Sequence, residues 1–532
     1  MSFRTLLTYT QQAAAAYADK PAFFKPKCSA NSPSEWEPIS FATFADDLER
    51  AAGYWTSFFD TVGIARGAVV GLWLSGFLYD DTVHLFALSG AGYVPQSFSL
   101  QNVQAVKALL ETNGTKCLIY GPTTANMSLQ LPEVMHHLQL YEHPDLPTIR
   151  KSTLRLQVPI RASGDDIFAI YHTTGSTGSL PKLVPYTYRF LDAALKKQNY
   201  LWETFGGTRT TQMGSVMHIG HLSMLFGSIQ NGASMALPYP GRIPYTSDDL
   251  IMFHAKGLLD SAIFLGPQLG RYLIECKTNA LLREVFTQLQ RIMFTGAALS
   301  ESDQAIARSY SINLMQAYGS SELSGVMCGP EADLMRATPG FSYSFVPLNT
   351  QGRTDDITAG RDMICELVVR AGAPDLPHAS LLNNNGDFHT GDLFREVQPG
   401  AWKLCGRIND WLKMFNGCRC ETKSIETDAL ASCSDIIQSC FVAGEGRITP
   451  VLFVELQVDG DDAHRWDRAR EIVRRLGPSQ ALRYPHDSIT DAKRVVIVRP
   501  KELPRTAKGN IRRAVVEDQY RTIMDAIDTR AT

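Results

Sequence analysis

The chain reads FATFADDLERAAGYWTSFF at residues 41–59, VVGLWL at 69–74, HLFALSG at 84–90 and KCLIY at 116–120. The first and third segments carry apolar residues at helical spacing, whereas the second and fourth are short apolar runs typical of strands. Strands and helices that alternate in this way form a sheet of parallel strands with helices on its faces. The sequence therefore predicts an α/β fold.

Two segments near the C-terminal end predict a second folded unit. DAHRWDRAREIVRRLG at 462–477 has the pattern of a charged helix, and VVIVRP at 495–500 that of a strand. A compact α+β unit at the C-terminal end fits both.

The segment 141–163, YEHPDLPTIRKSTLRLQVPIRAS, contains Pro and mixed charge without clear periodicity, and it is predicted to be a surface connection.

Composition and charge narrow the class of protein. With 532 residues the chain exceeds the size of a single hydrophobic core, so a large domain and at least one smaller one are expected. The formal charge of -3 arises from 51 basic and 54 acidic residues, which predicts no nucleic-acid partner. No apolar stretch is long enough to span a bilayer, and the ten cysteines lack the spacing of a disulfide framework. A cytoplasmic protein without a membrane partner is expected.

A loop rich in hydroxyl groups follows the strand-like DIFAIYH (166–172). It reads TTGSTGSLPK (173–182) and combines five hydroxyl residues with Gly175, Gly178 and Lys182. Glycines let backbone N–H groups approach an anion, and the hydroxyls and the lysine add donors and charge, so the loop is suited to phosphate. A P-loop NTPase motif is disfavoured because Leu180 and Pro181 precede the lysine. The alternative is a flexible Gly/Ser turn between two strands.

Four further motifs follow in order. They are QAYGSSE (316–322), HTGDLF (389–394), LCGRINDWLK (404–413) and LPRTAKGNIRR (503–513). The carboxylate of Glu322 suits Mg²⁺, that of Asp392 can accept from two vicinal hydroxyls, and the Arg407 guanidinium can bind phosphate oxygens. Together with the hydroxyl-rich loop, this order resembles the superfamily of acyl-CoA ligases, peptide-synthetase adenylation domains and luciferases.

The resemblance implies a fold, a domain boundary and cofactors. A large N-terminal domain of residues 1–408, with mixed β-sheets layered with helices, would bind ATP and the acid. A small, mobile α+β domain of residues 409–532 would follow, with its hinge at Asn409. The implied cofactors are ATP and Mg²⁺. The Thr-Ala-Lys-Gly ending and the spacing of Lys413 and Gly417 look most like the adenylation domains of fungal peptide-synthetase-like enzymes and carboxylic acid reductases.

The resemblance also assigns residues to the nucleotide. The cofactor-binding set is Thr173, Thr174, Gly175, Ser176, Thr177, Gly178, Lys182, Gly296, Ala297, Gln316, Ala317, Tyr318, Gly319, Ser320, Ser321, Asp392, Arg407 and Lys413. Tyr318 would stack on adenine, Ser321 would contact the α-phosphate and Glu322 would hold the metal ion. The position of the family's mobile catalytic lysine is Asn510 here, and the nearby Lys508 is expected to take its role.

The segment MHIGHL (217–222) resembles the start of the family's acid pocket. The expected substrate residues are His218, Ile219, His221, Leu222 and Met224, and His218 is also expected to act in catalysis. Where amino-acid-activating domains carry Asp to pair with the substrate ammonium, this chain has Ile219. An aryl or alkyl acid without an α-amino group is therefore predicted.

Three functions remain open from the sequence. The first is activation of the acid to acyl-AMP followed by transfer to the phosphopantetheine thiol of a carrier domain. The second is a free-standing acyl-CoA ligase that uses the CoA thiol. The third, motivated by Asn510, is a nucleotide-binding regulator without catalysis.

Overall fold

The computed structural model describes residues 3–27, 35–98, 103–133, 135–156, 163–173, 182–205, 207–212, 214–239, 242, 245–296, 298–331, 334–348, 363–408, 411–415, 419–457, 464–480, 483, 485–505 and 511–529. The strands of these residues are β1 Pro21–Pro26, β2 Trp36–Ser40, β3 Val69–Trp73, β4 Val94–Phe98, β5 Cys117–Tyr120, β6 Gln139–Glu142, β7 Ile167–His172, β8 Leu183–Thr187, β9 Arg209–Thr211, β10 Ser234–Ala236, β11 Ser261–Leu265, β12 Arg291–Thr295, β13 Leu314–Ser320, β14 Ser324–Glu331, β15 Leu334–Ala337, β16 Ser344–Pro347, β17 Ile364–Val369, β18 Phe388–Gln398, β19 Ala401–Arg407, β20 Trp411–Lys413, β21 Arg419–Glu421, β22 Ile437–Ala443, β23 Val451–Leu456 and β24 Val495–Val498. The helices are α1 Leu6–Tyr17, α2 Phe41–Val62, α3 Tyr79–Gly90, α4 Val103–Thr112, α5 Ala125–Ser128, α6 Leu146–Lys151, α7 Tyr188–Phe205, α8 Ile219–Gln230, α9 Ser247–Ala255, α10 Gly266–Glu275, α11 Ala280–Gln288, α12 Glu301–Ser309, α13 Thr422–Ser432, α14 Arg465–Gln480, α15 Arg513–Gln519 and α16 Arg521–Thr529. None of these helices is long and apolar enough to cross a membrane.

The first part of the chain folds around a six-stranded sheet with the order β6-β5-β3-β4-β7-β8. Its first five strands pair in parallel and β8 pairs antiparallel to β7. Helices α2 and α3 bury Trp55, Phe59 and Phe86 in the main core. The alternation of helices and strands between residues 41 and 120 thus forms the parallel sheet predicted for it. The strand β4 was not predicted.

A nine-stranded sheet of mixed direction follows, with the order β11-β12-β13-β14-β15-β19-β18-β17-β16. Its strands β11, β12 and β13 are parallel, whereas the others pair antiparallel. A four-stranded sheet, β2-β1-β10-β9, completes this part. The predicted mixed sheets layered with helices are therefore confirmed.

The C-terminal part has a sheet and a core of its own. Strands β22, β23 and β24 form a three-stranded sheet, and α13 and α14 pack on one of its faces through Ile425, Ile472 and Leu476. The predicted charged helix is α14, and the predicted strand at 495–500 is β24. This unit has the α+β character expected from the sequence.

The prediction for residues 141–163 is partly wrong. The segment begins with the end of β6 and then forms the short helix α6. Asp145 caps α6 by accepting from the Thr148 N–H, and Leu146 and Ile149 are buried. Pro147 lies in the first turn of the helix, where its missing N–H costs nothing, so this proline starts a helix instead of breaking one.

Candidate active site

The hydroxyl-rich segment 173–182 connects β7 to β8 at one side of the six-stranded sheet. His172 lies opposite Leu183, and the Thr173 N–H donates to the Lys182 carbonyl at 2.9 Å. The two ends of the segment are thus fixed side by side, and the Lys182 side chain is exposed. The other loop residues of the predicted site lie outside the described residues: Thr174, Gly175, Ser176, Thr177 and Gly178. In open α/β sheets, ligands bind at the carboxyl ends of the parallel strands, which is where this loop leaves β7.

The QAYGSSE motif forms the end of β13 and the turn into β14. Its first residues are buried: Gln316, Ala317 and Tyr318. A Cβ atom on Gly319 would lie 2.3 Å from the Ser324 carbonyl oxygen, so only glycine fits there. Ser324 has a φ of 59°, and its hydroxyl lies 2.8 Å from that of Ser223 on α8. These constraints shape the turn that presents Ser320, Ser321 and Glu322, all three half-buried.

A phenol, a carboxylate and a guanidinium meet next to this turn. The Tyr318 hydroxyl donates to Asp392 Oδ2 at 2.6 Å, and Arg407 Nε lies 2.9 Å from Asp392 Oδ1. Asp392 on β18 and Arg407 on β19 are register partners, and Arg407 also donates to the Thr390 carbonyl. Burial raises the pKa of Asp392, whereas Arg407 and Tyr318 act to lower it.

The Glu322 carboxylate belongs to the same electrostatic group. Its charge acts to raise the pKa of Asp392 and that of Arg407. The Tyr186 hydroxyl on β8 donates to the Ser321 carbonyl, and burial raises the pKa of Tyr186, with the charge of Glu322 adding to the rise. The strand that ends the hydroxyl-rich loop, the Ser321–Glu322 turn and Asp392 therefore face one another.

The residues present fit a divalent cation bound together with phosphate. Glu322 is half-buried, and no described residue donates a hydrogen bond to its carboxylate. Its oxygens are therefore available to a hard cation. Asp392 is different, because both of its oxygens are already engaged. Glu322 is therefore the better candidate of the two for a metal ligand, whereas each Asp392 oxygen could bind a hydroxyl group only beside its existing partner. A bound Mg²⁺ would offset negative charge on phosphate oxygens.

Histidines mark the side of the site where α8 begins. His218 immediately precedes α8, and its ring lies 5.9 Å from that of His172 in an edge-to-face arrangement. The His221 ring packs on Gly214, where a Cβ atom would lie 2.0 Å from Cε1 of the ring. Burial lowers the pKa of His221 to about 4, so this imidazole is neutral at pH 7.

The other expected substrate residues are divided between the core and its margin. Ile219 and Leu222 are buried in the main hydrophobic core. Met224 is half-buried and packs on a separate cluster that includes Trp202 and Ile263. The structure therefore brings His218 next to His172, which directly precedes the hydroxyl-rich loop, whereas Leu222 packs in the hydrophobic core.

The remaining predicted residues are Gly296 and Lys413, which the structure describes, and four residues outside the described part. Gly296 follows β12, is exposed and has a φ of 84°. Lys413 is exposed at the end of β20, and its N–H donates to Glu445. Ala297, Asn409, Gly417 and Lys508 lie outside the described residues.

Sequence reasoning missed two groups that shape the site. Tyr186 lies four positions after Lys182 on β8, and its place directly after the loop motif was an available signal. The other group is a fully buried ion pair in which Lys197 Nζ lies 3.0 Å from Asp375 Oδ2. Lys197 also donates to the Leu323 carbonyl at 2.7 Å, next to Glu322. No motif marks this pair.

Comparisons with known proteins identify the family of this chain. Residues 10–353 match the family described as AMP-binding enzyme, and residues 409–531 match the AMP-binding enzyme C-terminal domain. The AMP-binding domain-containing enzyme iboA of Amanita muscaria is 29% identical in sequence. The match covers 89% of this chain and 93% of that enzyme. A carboxylic acid reductase of Mycobacterium tuberculosis is 22% identical over 65% of this chain, which spans 30% of that enzyme. The predicted likeness to fungal enzymes and carboxylic acid reductases is confirmed.

Solved structures show the same fold. The O-succinylbenzoate coenzyme A synthetase of Bacillus subtilis, in complex with ATP and magnesium ion, superposes with a TM-score of 0.71. Its sequence is 16% identical, and the match covers 96% of this chain and 99% of that one. With the family matched over most of the chain, this protein belongs to the AMP-binding enzymes: it is an adenylate-forming enzyme that activates carboxylic acids.

Proposed function

We propose that this enzyme activates an aryl or alkyl carboxylic acid without an α-amino group and passes the acyl group to the phosphopantetheine thiol of a carrier domain. In the first half-reaction, a carboxylate oxygen forms a bond to the α-phosphorus of ATP, and the bond from that phosphorus to the bridging oxygen breaks to release pyrophosphate. In the second, the thiol sulfur bonds to the acyl carbon, the bond to AMP breaks, and the thiol proton is released.

The observation that carries the proposal is the group formed by Tyr318, Asp392 and Arg407 beside Glu322. A carboxylate held between a phenol and a guanidinium is oriented to accept from the two ribose hydroxyls. Glu322 would hold Mg²⁺, which offsets the charge that grows on pyrophosphate as it leaves. The hydroxyl-rich loop would bind the phosphates beyond it.

Three residues outside the described part, Lys508, Asn409 and Gly417, complete the proposed cycle. Attack of a carboxylate on a phosphate joins two anions, so a cation between them lowers the barrier, and we assign this role to Lys508. Rotation about Asn409 would then withdraw Lys508 and bring the segment with Lys413 and Gly417 to the acyl-AMP. Residues 1–408 and 409–532 are the two bodies that this rotation separates.

The predicted class of acid depends on the start of α8. Ile219 is packed in the core, and the helix sequence IGHLSMLFGSIQ contains no Asp or Glu. A buried substrate ammonium without an anionic partner would lose its hydration without compensation. The neutral imidazole of His221 near this helix suits an uncharged aryl or alkyl group.

The acceptor has a second candidate, the thiol of CoA. This alternative is favoured by the likeness in fold to a coenzyme A synthetase over 96% of this chain. The match spans only 30% of the carboxylic acid reductase, so that enzyme is long enough to hold an acceptor domain, which favours the carrier thiol. The two acceptors need the same first half-reaction and differ only in the second.

Pyrophosphate exchange into ATP tests the first half-reaction. A panel of aryl, alkyl and α-amino acids is expected to give exchange with members of the first two groups only. Exchange that is fastest with an α-amino acid would reject the predicted acid class. Tight AMP binding without exchange on any acid would indicate the non-catalytic regulator. Thioester formation with CoA, compared with a phosphopantetheinylated carrier, decides the acceptor.

A further inference from the structure

The segment that leads to Lys508 is fastened to the C-terminal sheet by a buried carboxylate. Glu455 lies on β23, the central strand of that sheet, and its side chain is buried. Along β23 it shares a face with Val451 and Phe453, both in an apolar cluster with Leu503. An acid at the end of an apolar face is costly unless charged and polar groups surround it.

Glu455 has such partners, and they come from two segments. Oε1 accepts from the Leu503 N–H and from Arg505 Nη1, both at 3.0 Å. Oε2 accepts from Arg505 Nη2 and from the Ser439 hydroxyl, both at 2.5 Å. Arg505 thus forms a two-pronged ion pair with Glu455, and it donates as well to the Leu503 carbonyl at 3.1 Å.

The ion pair lies at the base of the segment that contains Lys508. Arg505 and Ile511 form an antiparallel bridge, and the Arg512 N–H donates to the Pro504 carbonyl at 2.9 Å. The described residues on either side of 506–510 are therefore joined to each other, and Arg505 is also joined to Glu455. A second carboxylate, that of Glu502, fixes the residue before Leu503 by accepting a hydrogen bond from the Tyr520 hydroxyl at 2.9 Å.

We infer that the Glu455–Arg505 ion pair is a positioning device for Lys508 and acts on the first half-reaction only. The inference rests on the proposed function, because it takes Lys508 as the cation between carboxylate and α-phosphate. A lysine at the end of a four-carbon chain offsets this charge only when its backbone is held in place. The ion pair supplies that hold by fixing Arg505 to the central strand, with Ile511 and Arg512 bonded to Arg505 and Pro504 beside it. A displacement of about 1 Å can cost on the order of 100-fold in rate.

The test separates the two half-reactions in the full chain. Glu455→Gln is expected to lower pyrophosphate exchange by about 10- to 100-fold. The same variant is expected to convert a supplied acyl-AMP, made from the acid with the fastest exchange, to thioester within about twofold of the unchanged rate. Asp528→Asn is the matched control, because Asp528 accepts from Arg447 and Arg494 in the same domain without touching this segment. It should leave both rates within about twofold.

A second variant covers the case in which Glu455→Gln does not fold. Replacing both partners, Glu455→Leu with Arg505→Leu, removes the pair without leaving a buried charge, so folding should be retained. The double variant should show the same split, together with faster hydrogen exchange at the Leu503 and Arg512 amides. Equal losses in both half-reactions, or no loss in either, overturn the inference.

Pyrophosphate exchange distinguishes a wrong positioning role from a wrong proposed function. If the unchanged chain exchanges pyrophosphate and Lys508→Ala abolishes it, whereas Glu455→Gln does not lower it, the positioning role is wrong and the proposed function stands. If the unchanged chain exchanges with no acid, the proposed function is rejected, and the positioning role with it.

Discussion

Tyr318 and Asp392 are 74 positions apart in the chain and joined by a hydrogen bond of 2.6 Å from the phenol to the carboxylate. Three strands separate β13 from β18 in the order of the nine-stranded sheet, so the two residues meet because this sheet bends back on itself. With Arg407 on the other oxygen, the carboxylate is oriented before a nucleotide binds. This preorganisation reduces the ordering that binding would otherwise require.

Removal of the phenol tests this arrangement. Tyr318→Phe deletes one hydrogen bond to a charged acceptor, so the KM for ATP in pyrophosphate exchange should rise about tenfold, which corresponds to roughly 1.4 kcal/mol. Asp392→Ala removes the proposed ribose ligand as well and should lower kcat/KM for ATP by at least about 100-fold. Tyr9→Phe is the matched control, since Tyr9 donates to Asp192 far along the chain from the site. An unchanged KM in Tyr318→Phe would contradict the role of the phenol.

The role of Glu322 is tested through the metal requirement. Glu322→Gln keeps the size of the side chain and removes its charge, so the Mg²⁺ concentration for half-maximal exchange should rise about tenfold or more. Titration with Mg²⁺ at saturating ATP measures this shift. Glu301→Gln, an exposed acid paired with Arg308 on α12, should leave the titration unchanged. A lower maximal rate with the same Mg²⁺ midpoint would exclude Glu322 as the ligand.

The buried pair of Lys197 and Asp375 should matter for stability. Both side chains are fully buried, and burial lowers the pKa of Lys197 although Asp375 opposes this. Lys197→Met leaves the Asp375 carboxylate buried without its cation, and the free energy of unfolding should fall by about 3–5 kcal/mol. The neighbouring Lys196, exposed and paired with Asp192, supplies the control, and Lys196→Met should change stability by no more than about 0.5 kcal/mol. Urea unfolding of the two variants compares them, and equal stabilities would contradict the assignment.

A buried histidine predicts how stability depends on pH. His84 accepts from the Trp55 indole N–H at 3.0 Å and donates through Nε2 to the Pro144 carbonyl at 2.9 Å, which is the neutral tautomer. Burial lowers the pKa of His84 to about 3, and His143 adds to the fall. The unfolded chain takes up this proton near pH 6.5 and the folded chain does not. Stability is therefore present above pH 6.5 and should fall by about 1.4 kcal/mol per pH unit as the pH drops from 6.5 towards 3.

His84→Gln checks the contribution of this residue. Glutamine can accept from Trp55 and donate to Pro144 without titrating, so the variant should lose less stability between pH 6.5 and 4.5 than the unchanged protein. Urea midpoints measured at pH 7, 5.5 and 4.5 give the two slopes. Identical slopes would assign the acid sensitivity to other groups.

Local patterns were enough to predict several elements. Helix α2 and strands β3, β5 and β7 follow from the spacing of their apolar residues, because side chains on one face of a helix or strand recur at short spacing. The roles of Glu322, Asp392 and Arg407 came from the resemblance of the ordered motifs to a known family, and they stay predictions. Residues 141–163 were predicted to be a surface connection, and the short helix α6 after the N-cap Asp145 was not predicted.

Contacts between side chains that are distant along the chain did not follow from the sequence. Tyr186 reaches the Ser321 carbonyl across 135 positions, Lys197 reaches Asp375 across 178, and Arg505 reaches Glu455 across 50. None of these pairs has a spacing that a sequence pattern could reveal. Each contact is created by strand order and by the packing of helices on sheets, which bring distant side chains to one place. Electrostatic interactions between buried groups there are stronger than those between solvent-exposed groups, because the effective dielectric constant is lower.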